Sequence, residues 1–303
     1  MDFSLWSNPA QAWSDVVEVA LHAEATGWDG VWVADHFMGD AGGFGPVETP
    51  TLEATAALAA LASLTERVRM GSLVFGATYR HPAVLANWAA TVDQVSGGRL
   101  VLGVGAGWQE NEHVQYGIEL PPVGARVSRF EEYCHALAGL LRQPLTTLEG
   151  NWFSLHDAVC EPKPVQDPLP LLIGGKGDRM LGITARYGDA WNMWSLPDTF
   201  AERSAALDRA CDALERDPST IRRSTQALIR LTDDEAGARR FVEAVAPRAA
   251  VAGTPAQIAE VVAGWRDAGV DELIVPDFTL GSGPNRLDAL DQLIEQLAPV
   301  FRV

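Results

Sequence analysis

The sequence predicts a single (β/α)₈ TIM-barrel domain over residues 1–303, and three observations support this prediction. Short apolar or β-branched runs alternate eight times with longer amphipathic runs, which is the pattern of strands that each precede a helix. Glycine follows several of the helical runs, where a C-cap glycine belongs. A length of 303 residues also suits one barrel of this kind.

A doubly wound parallel sheet is the rival architecture, because it shows the same alternation of strands and helices. That fold requires a glycine-rich turn directly after the first strand. This chain has Trp6, Ser7, Asn8 and Pro9 at that place. The barrel is therefore favoured.

The elements follow one another along the chain. The predicted strands are Asp2–Trp6, Gly30–Ala34, Val68–Phe75, Leu100–Gly105, Leu169–Ile173, Ala190–Trp194, Ser224–Ile229 and Glu272–Pro276. The predicted helices are Ala10–Thr26, Leu52–Leu64, Ala83–Val95, Val127–Arg142, Arg179–Tyr187, Thr199–Glu215, Pro255–Ala268 and Leu287–Leu297. Glycines 27, 97, 188 and 269 mark helix ends, and Thr254 followed by Pro255 marks a helix start.

One segment interrupts the alternation between the fourth helix and the fifth strand. Residues Thr146–Cys160 alternate in polarity like a β-hairpin, with Glu149, Gly150 and Asn151 at the turn. We expect this hairpin to be an insertion in the barrel and not a second domain.

Composition and charge restrict the classes of ligand. The formal net charge is −17, and only two of the 23 basic residues, Lys163 and Lys176, are lysine. This acidic field repels polyphosphate backbones, so we expect no nucleic-acid partner. An anionic small molecule would need a local basic pocket or a helix N-terminus.

The cysteines and the apolar runs indicate a cytoplasmic protein. Cys134, Cys160 and Cys211 are widely spaced and predict neither a disulfide framework nor a zinc site. Residues Met1–Trp13 lack a basic region and a long apolar run, so we expect no signal peptide. No stretch approaches the roughly 18 apolar residues of a membrane helix.

In barrels of this kind the chemistry sits at the C-terminal ends of the strands. Neither lysine lies inside a predicted strand, which argues against Schiff-base chemistry. Only His36 lies directly at a strand end, so a metal-dependent hydrolase is disfavoured, and we expect no metal. The seventh strand supplies no carboxylate for a glycosidase pair. Strand ends rich in glycine, tryptophan and amides suit a flat aromatic cofactor better.

His36 is the candidate catalytic residue, because an imidazole titrates near the working pH. A purely structural, hydrogen-bonded histidine is an equally good interpretation of this residue. Asp35 could orient His36 or bind a ring hydroxyl. Tryptophans at strand ends could form the walls of a pocket; these are Trp6, Trp108, Trp191 and Trp194.

Gly174, Gly175 and Lys176 follow the fifth predicted strand and precede a helix that begins near Asp178. Backbone N–H groups and the positive end of a helix dipole would meet there, as in phosphate sites. A tight turn that needs glycine only for packing is the alternative.

Several motifs together resemble the luciferase-like monooxygenase superfamily. They are WVADHF (32–37), RMGSLVFGATYRHP (69–82), SGGRLVLGVGAGW (96–108), EPKPVQ with PLPLLIGG (161–175), AGTPAQI (252–258) and DAGVDELIV (267–275). They occur in order through nearly the whole chain. The Asp-His pair and the GAGWQENE segment are most similar to the branch that uses coenzyme F420, a deazaflavin hydride carrier. Users of flavin mononucleotide (FMN) share much of the pattern.

The resemblance implies roles for particular residues. Asp35 would lie near the polar edge of the cofactor ring, and His36 would lie beside the reacting carbon and the substrate. A bulge with a cis peptide behind the ring would fall at Leu73–Val74. The remaining implied cofactor-binding residues are Gly76, Thr78, Trp108, Asn111, Gly174, Gly175 and Lys176. A homodimer is also expected from the resemblance.

The resemblance therefore implies an oxidoreductase that transfers a hydride between F420 and a small organic substrate. In sugar-6-phosphate dehydrogenases of this branch, a tryptophan follows the Asp-His pair and a glutamate begins the loop after strand 4. This chain has Gly39 or Asp40 and Trp108 at those places, which favours a hydrophobic or aromatic substrate over a sugar phosphate. The alternatives are an FMN-dependent monooxygenase that uses O₂ and a non-catalytic deazaflavin-binding protein.

Overall fold

Eight parallel strands close into a barrel in the computed structural model, which describes residues 1–42 and 44–302. In barrel order these strands are β1 (Asp2–Ser7), β2 (Gly30–Val33), β3 (Arg69–Ser72), β5 (Leu100–Gly105), β8 (Leu171–Gly174), β9 (Ala190–Trp194), β10 (Arg222–Gln226) and β13 (Glu272–Pro276). Pairing of β1 with β13 joins the last strand to the first. The predicted (β/α)₈ fold is confirmed.

Helices connect the strands and cover the outside of the barrel. They are α1 (Trp13–Thr26), α2 (Ala54–Leu64), α3 (Pro82–Ser96), α4 (Glu110–Tyr116), α5 (Val123–Arg142), α6 (Asp178–Tyr187), α7 (Pro197–Asp212), α8 (Glu235–Val245), α9 (Pro255–Asp267) and α10 (Pro284–Phe301). Gly27 and Gly97 have the left-handed conformation of C-caps. Thr254 and Gln257 form a capping box at α9.

The predicted hairpin insertion is also confirmed. Strands β6 (Thr146–Glu149) and β7 (Ser154–Ala158) pair antiparallel between α5 and β8. The turn is anchored because the Glu132 carboxylate accepts hydrogen bonds from the backbone N–H groups of Asn151 and Trp152. This contact attaches the hairpin to helix α5.

The third predicted strand, Val68–Phe75, is interrupted in the structure. Strand β3 ends at Ser72, the Leu73–Val74 peptide is cis, and the chain resumes as β4 (Phe75–Gly76). The expected cis peptide is therefore present. Both β3 and β4 pair with β5, so the bulge projects from an otherwise continuous ladder.

The seventh predicted strand, Ser224–Ile229, is wrong as a single strand. Strand β10 ends at Gln226, and β11 (Leu228–Leu231) leaves the barrel to pair with β12 (Ala250–Gly253). Helix α8 joins β11 to β12. Neither α8 nor β12 was predicted, and together with β11 they form an insertion, residues 228–253, beside the end of β10.

Two apolar layers hold the barrel. Inside it, side chains from alternate strand positions pack together, including Trp32, Val101, Leu172 and Ile274. A larger cluster fills the space between the strands and the helices. The inner layer ends below Trp6, Leu73 and Trp194, which leaves the C-terminal end of the barrel open as a cavity.

Three further findings concern the described part of the chain. No helix in it combines the length and the apolar character needed to cross a membrane. No group of three or more His, Cys, Asp or Glu side chains among the described residues is arranged to hold a metal ion. Cys134, Cys160 and Cys211 are buried free thiols.

Candidate active site

A cavity of about 470 Å³ opens at the C-terminal ends of the barrel strands. Nine of the residues predicted for the site line it: Asp35, His36, Leu73, Val74, Gly76, Trp108, Gly174, Gly175 and Lys176. The volume lies in the range of cofactor and small-ligand sites. Residues far apart in the sequence therefore meet at one place, as the barrel topology requires.

His36 is held by a buried carboxylate. Its Nδ1 lies 2.9 Å from Oε1 of Glu112, which is completely buried at the start of α4. The other Glu112 oxygen accepts a hydrogen bond from the Phe37 backbone N–H at 2.9 Å. The Tyr79 hydroxyl also donates to Glu112. His36 Nε2 has no hydrogen-bond partner among the described residues, and the ring borders the cavity.

The electrostatics keep Glu112 ionised. Burial raises the pKa of this carboxyl, but the donors His36, Phe37 N–H and Tyr79 outweigh it, so the pKa lies below its usual value. Burial and the neighbouring Glu112 together raise the pKa of Tyr79 far above its usual value, so Tyr79 remains a neutral donor. The arrangement fixes one ring nitrogen of His36 and leaves the other one facing the cavity.

Asp35 has a different role from the one that its position beside His36 suggested. Both of its oxygens bind Arg80, at 2.6 and 2.9 Å, and the Gly76 backbone N–H also donates to it at 2.9 Å. Burial raises the pKa of Asp35, and the Arg80 guanidinium and the Gly76 amide oppose this rise. Asp35 thus attaches the end of β2 to the chain just after the bulge, and Glu112 is the residue that orients His36.

One side of the cavity is aromatic. The Phe44 ring lies 5.3 Å from the His36 ring and 6.4 Å from the Trp6 ring, between centroids. Trp108 packs edge-on against His36 at 5.4 Å, and Trp6 contacts Trp194 at 5.6 Å. Trp108 is 56% exposed at the rim. Flat apolar walls of this kind suit a planar ring system.

The opposite side contains glycines and a cation. Gly175 has φ of +145°, which favours glycine, and its carbonyl accepts a hydrogen bond from Trp191 Nε1 at 2.7 Å. Lys176 and Gly177 then lead into α6, whose N-cap, Gly177, has no side chain to bind the first amides. Free helix N-terminal amides beside a lysine suit an anionic group.

Three predicted positions lie outside the cavity. The Thr78 side chain is buried, with its hydroxyl 2.8 Å from His113 Nε2, because Gly107 brings the next loop over it. The Asn111 side chain donates to the Gly39 carbonyl at 2.8 Å, so it links α4 to the loop after β2. Trp191 does not wall the pocket, because it is fully buried against Phe200.

Sequence reasoning missed several residues of the site: Phe44, Tyr79, Glu112, Asn192, Gln226 and Arg248. Glu112 lies in a polar run after strand 4, which was a signal without a partner. Gln226 ends the strand that seemed to offer nothing. Arg248 follows α8 in the unpredicted insertion, so no sequence pattern placed it near the cavity.

Comparison with known proteins agrees with this architecture. A family model described as luciferase-like monooxygenase matches residues 1–251. An F420-dependent glucose-6-phosphate dehydrogenase of Kineococcus radiotolerans is 27% identical over 95% of this chain and 93% of its own length. A counterpart from Amycolatopsis mediterranei is 36% identical over 58% of this chain, and that match spans only about half (52%) of the relative.

Further relatives extend the same picture. A phthiodiolone/phenolphthiodiolone dimycocerosates ketoreductase of Mycobacterium tuberculosis is 30% identical over 85% of this chain and 70% of its own length. The structure of an F420-dependent secondary alcohol dehydrogenase with an F420-acetone adduct superposes with a TM-score of 0.85 at 20% identity, covering 98% of both chains. On the family match over residues 1–251, this chain belongs to the luciferase-like monooxygenase family.

Proposed function

We propose that this protein is an F420-dependent oxidoreductase that transfers a hydride between the deazaflavin and a small organic substrate. The observation that carries the proposal is His36, held by the buried carboxylate of Glu112 at the edge of a flat aromatic cavity. Relatives that match this chain over most of its length are named as F420-dependent dehydrogenases, which supports the choice of cofactor.

The residues present fit such a cofactor. A deazaflavin combines a planar ring, polar ring edges and an anionic tail. The cavity offers aromatic walls at Trp6 and Phe44, and the unpartnered N-terminal amides of α6 with Lys176 at the other side. Gly174 and Gly175 leave room where a side chain would stand. These glycines and Lys176 would hold the tail phosphate, while Leu73, Val74 and Gly76 would lie against the ring.

When bound, F420 supplies the carbon that gives or accepts the hydride. The protein's own contribution is to handle the proton at the substrate oxygen. His36 Nδ1–H donates to Glu112, so Nε2 of the neutral ring is a base that can accept a proton from an alcohol. The reverse step returns the proton to a carbonyl oxygen. Phe44 and Trp108 keep water from this nitrogen.

A titration decides the cofactor. Purified protein is titrated with F420 and, separately, with FMN, and the two dissociation constants are compared. We expect F420 to bind at least about tenfold more tightly, a difference of about 1.4 kcal/mol. Tighter binding of FMN, together with substrate-dependent O₂ consumption, would instead indicate a two-component monooxygenase. Stoichiometric F420 binding without turnover on any carbonyl or alcohol would indicate a binding protein.

We also propose a homodimer that works in the cytoplasm on an apolar or aromatic substrate. The buried free thiols fit a reducing compartment, and the aromatic wall fits the substrate. Val84 and Val95 are exposed on the same face of α3, where a second subunit could cover them. A solution mass near that of one 32.6 kDa chain would contradict the dimer, and recovery outside the cytoplasmic fraction would contradict the location.

A further inference from the structure

An arginine without an acidic partner borders the cavity. Arg248 lies in the insertion, residues 228–253, and its guanidinium carbon is 5.5 Å from the centroid of the Phe44 ring. No carboxylate of the described residues lies within ion-pair distance of it, whereas Arg80 and Arg286, which are also partly or fully buried, both have acidic partners. In a chain with 40 acidic residues, this leaves a cation available to a ligand.

A second donor lies beside the same ring. Trp6 is about 5% exposed, and its indole N–H has no acceptor among the described residues. Trp6 contacts Phe44 and also Trp194, whose own indole N–H donates to the carbonyl of Ala249, the neighbour of Arg248. A buried donor without an acceptor carries a desolvation cost that a ligand oxygen would remove.

These donors lie on the His36 side of the cavity. The Phe44 ring contacts both Arg248 and the His36 ring, the latter at 5.3 Å between centroids. Lys176, the other cation of the cavity without an acidic partner in the described structure, lies on the loop between β8 and α6. The nearby carboxylates do not oppose an anion, because Asp35 binds Arg80, and Glu112 binds His36.

We propose that Arg248 and the Trp6 indole N–H form an oxyanion subsite of the substrate. The substrate is then an apolar carbonyl compound, or its alcohol, with a carboxylate or phosphate at the end away from the reacting oxygen. A guanidinium matches the two oxygens of such a group, and the aromatic wall takes the apolar body. The proposal rests on the proposed function, because His36 is what marks the substrate side.

Matched probes test the subsite. F420-loaded protein is titrated with 4-acetylbenzoate, with the neutral isostere 4-acetylbenzamide and with 4-acetylphenyl phosphate. We expect at least one of the two acids to bind at least about tenfold more tightly than the amide, since an oxyanion gains a charge-assisted hydrogen bond. Which acid binds more tightly identifies the oxyanion. Equal affinity of the acids and the amide, or no binding of either acid, overturns the proposal.

Variants assign the effect to Arg248. Arg248→Met should weaken binding of the preferred acid by about 10- to 100-fold and leave the amide unchanged. Arg248→Lys retains the cation and should retain part of the preference. Arg230→Met is the matched control, because Arg230 belongs to the same insertion but lies over Phe241, away from the cavity. An unchanged acid affinity in a folded Arg248→Met protein overturns the proposal.

The same variants separate this proposal from the proposed function. If Arg248→Met weakens F420 binding and not acid binding, Arg248 belongs to the cofactor and only the subsite fails. If the wild-type protein does not bind F420 but the unloaded protein prefers the acid, the cofactor assignment fails and the subsite stands. Circular dichroism melting of each variant confirms that it is folded before its affinity is compared.

Discussion

At the scale of single residues, the orientation of His36 depends on a contact between distant parts of the chain. Glu112 lies 76 positions after His36, yet it binds Nδ1 at 2.9 Å and the next backbone N–H at the same distance. Burial alone would raise the pKa of Glu112, but its donors hold the pKa below the ordinary 4.5. The carboxylate therefore stays charged at neutral pH, and it can hold His36 in one orientation.

This pair predicts a particular pattern in the kinetics of variants. If the proposed function holds, His36→Ala should reduce turnover by about 10²- to 10⁴-fold while F420 still binds. Glu112→Gln should reduce it less, by about 10- to 100-fold, because the ring remains but loses its ionised partner. Since Glu112 acts through His36, the double variant should be no slower than His36→Ala alone. Turnover is measured under saturating substrate.

The control for this series is Glu110→Gln, an exposed glutamate in the same turn of α4, which should leave turnover unchanged. The pH profile separates positioning from loss of fold. Wild-type activity should survive acidification until the pH falls through the lowered pKa of Glu112, whereas Glu112→Gln should lose that limb of the profile. A double variant much slower than His36→Ala would give Glu112 a separate role.

Sequence reasoning found His36 and the glycines because the barrel topology places every strand end at one mouth. It missed Glu112 as the partner of His36, since no local pattern reports a contact over 76 positions. Thr78 and Asn111 were expected in the cofactor site, but their hydrogen bonds to His113 and Gly39 turn them toward the protein. The local environment of a side chain, and not its position in a motif, decides where it points.

At the scale of elements, the bulge between β3 and β4 depends on glycines in the neighbouring strands. A Cβ on Gly105 of β5 would lie 2.6 Å from a Val74 methyl carbon. A Cβ on Gly103 would lie 2.0 Å from the Ser72 carbonyl oxygen. A Cβ on Gly174 of β8 would also meet Val74, at 3.1 Å. Val74 thus occupies a space that only strands with these glycines leave free.

A double-mutant cycle tests this account. Gly105→Ala should destabilise the protein by about 1–3 kcal/mol through overpacking against Val74. In a Val74→Ala background the same change should cost clearly less, because the clashing methyl is absent. Gly103→Ala is the control, since its clash is with backbone and should persist in both backgrounds. Urea unfolding supplies the free energies, and an equal cost of Gly105→Ala in both backgrounds would contradict the account.

The elements that sequence reasoning missed lie in the insertion, residues 228–253. The run Ser224–Ile229 reads as one strand, but the chain leaves the barrel at Ala227. Strand β12 has the small residues Ala-Val-Ala-Gly, which carry little strand signal. Periodicity describes each run alone, whereas the departure of β11 from the barrel depends on its pairing with a strand 22 positions later.

At the scale of the whole molecule, closure of the barrel involves a buried carboxylate. Asp277 follows β13 and accepts a hydrogen bond from the Asn8 backbone N–H, just after β1, at 2.9 Å. Its other oxygen lies 3.4 Å from Arg286 in α10. Asp277 therefore links the last strand, the loop after the first strand and the last helix. Burial raises its pKa to about 6, while Arg286 and the Asn8 N–H oppose the rise.

The raised pKa of Asp277 predicts how the stability of the whole fold varies with pH. A carboxyl with a folded pKa near 6 and an ordinary value of 3.8 binds more protons when folded, so it reduces stability as the pH rises from about 4 to 6. Relative to Asp277→Asn, the wild type should lose on the order of 1–3 kcal/mol of unfolding free energy across that interval. Urea unfolding at pH 4 and pH 7 measures the difference. Only the slope matters, because loss of the Arg286 contact shifts the variant equally at both values. Asp288→Asn, an exposed position on α10, should run parallel to the wild type. Parallel curves for Asp277→Asn and the wild type would show that Asp277 remains ionised in the fold over this range.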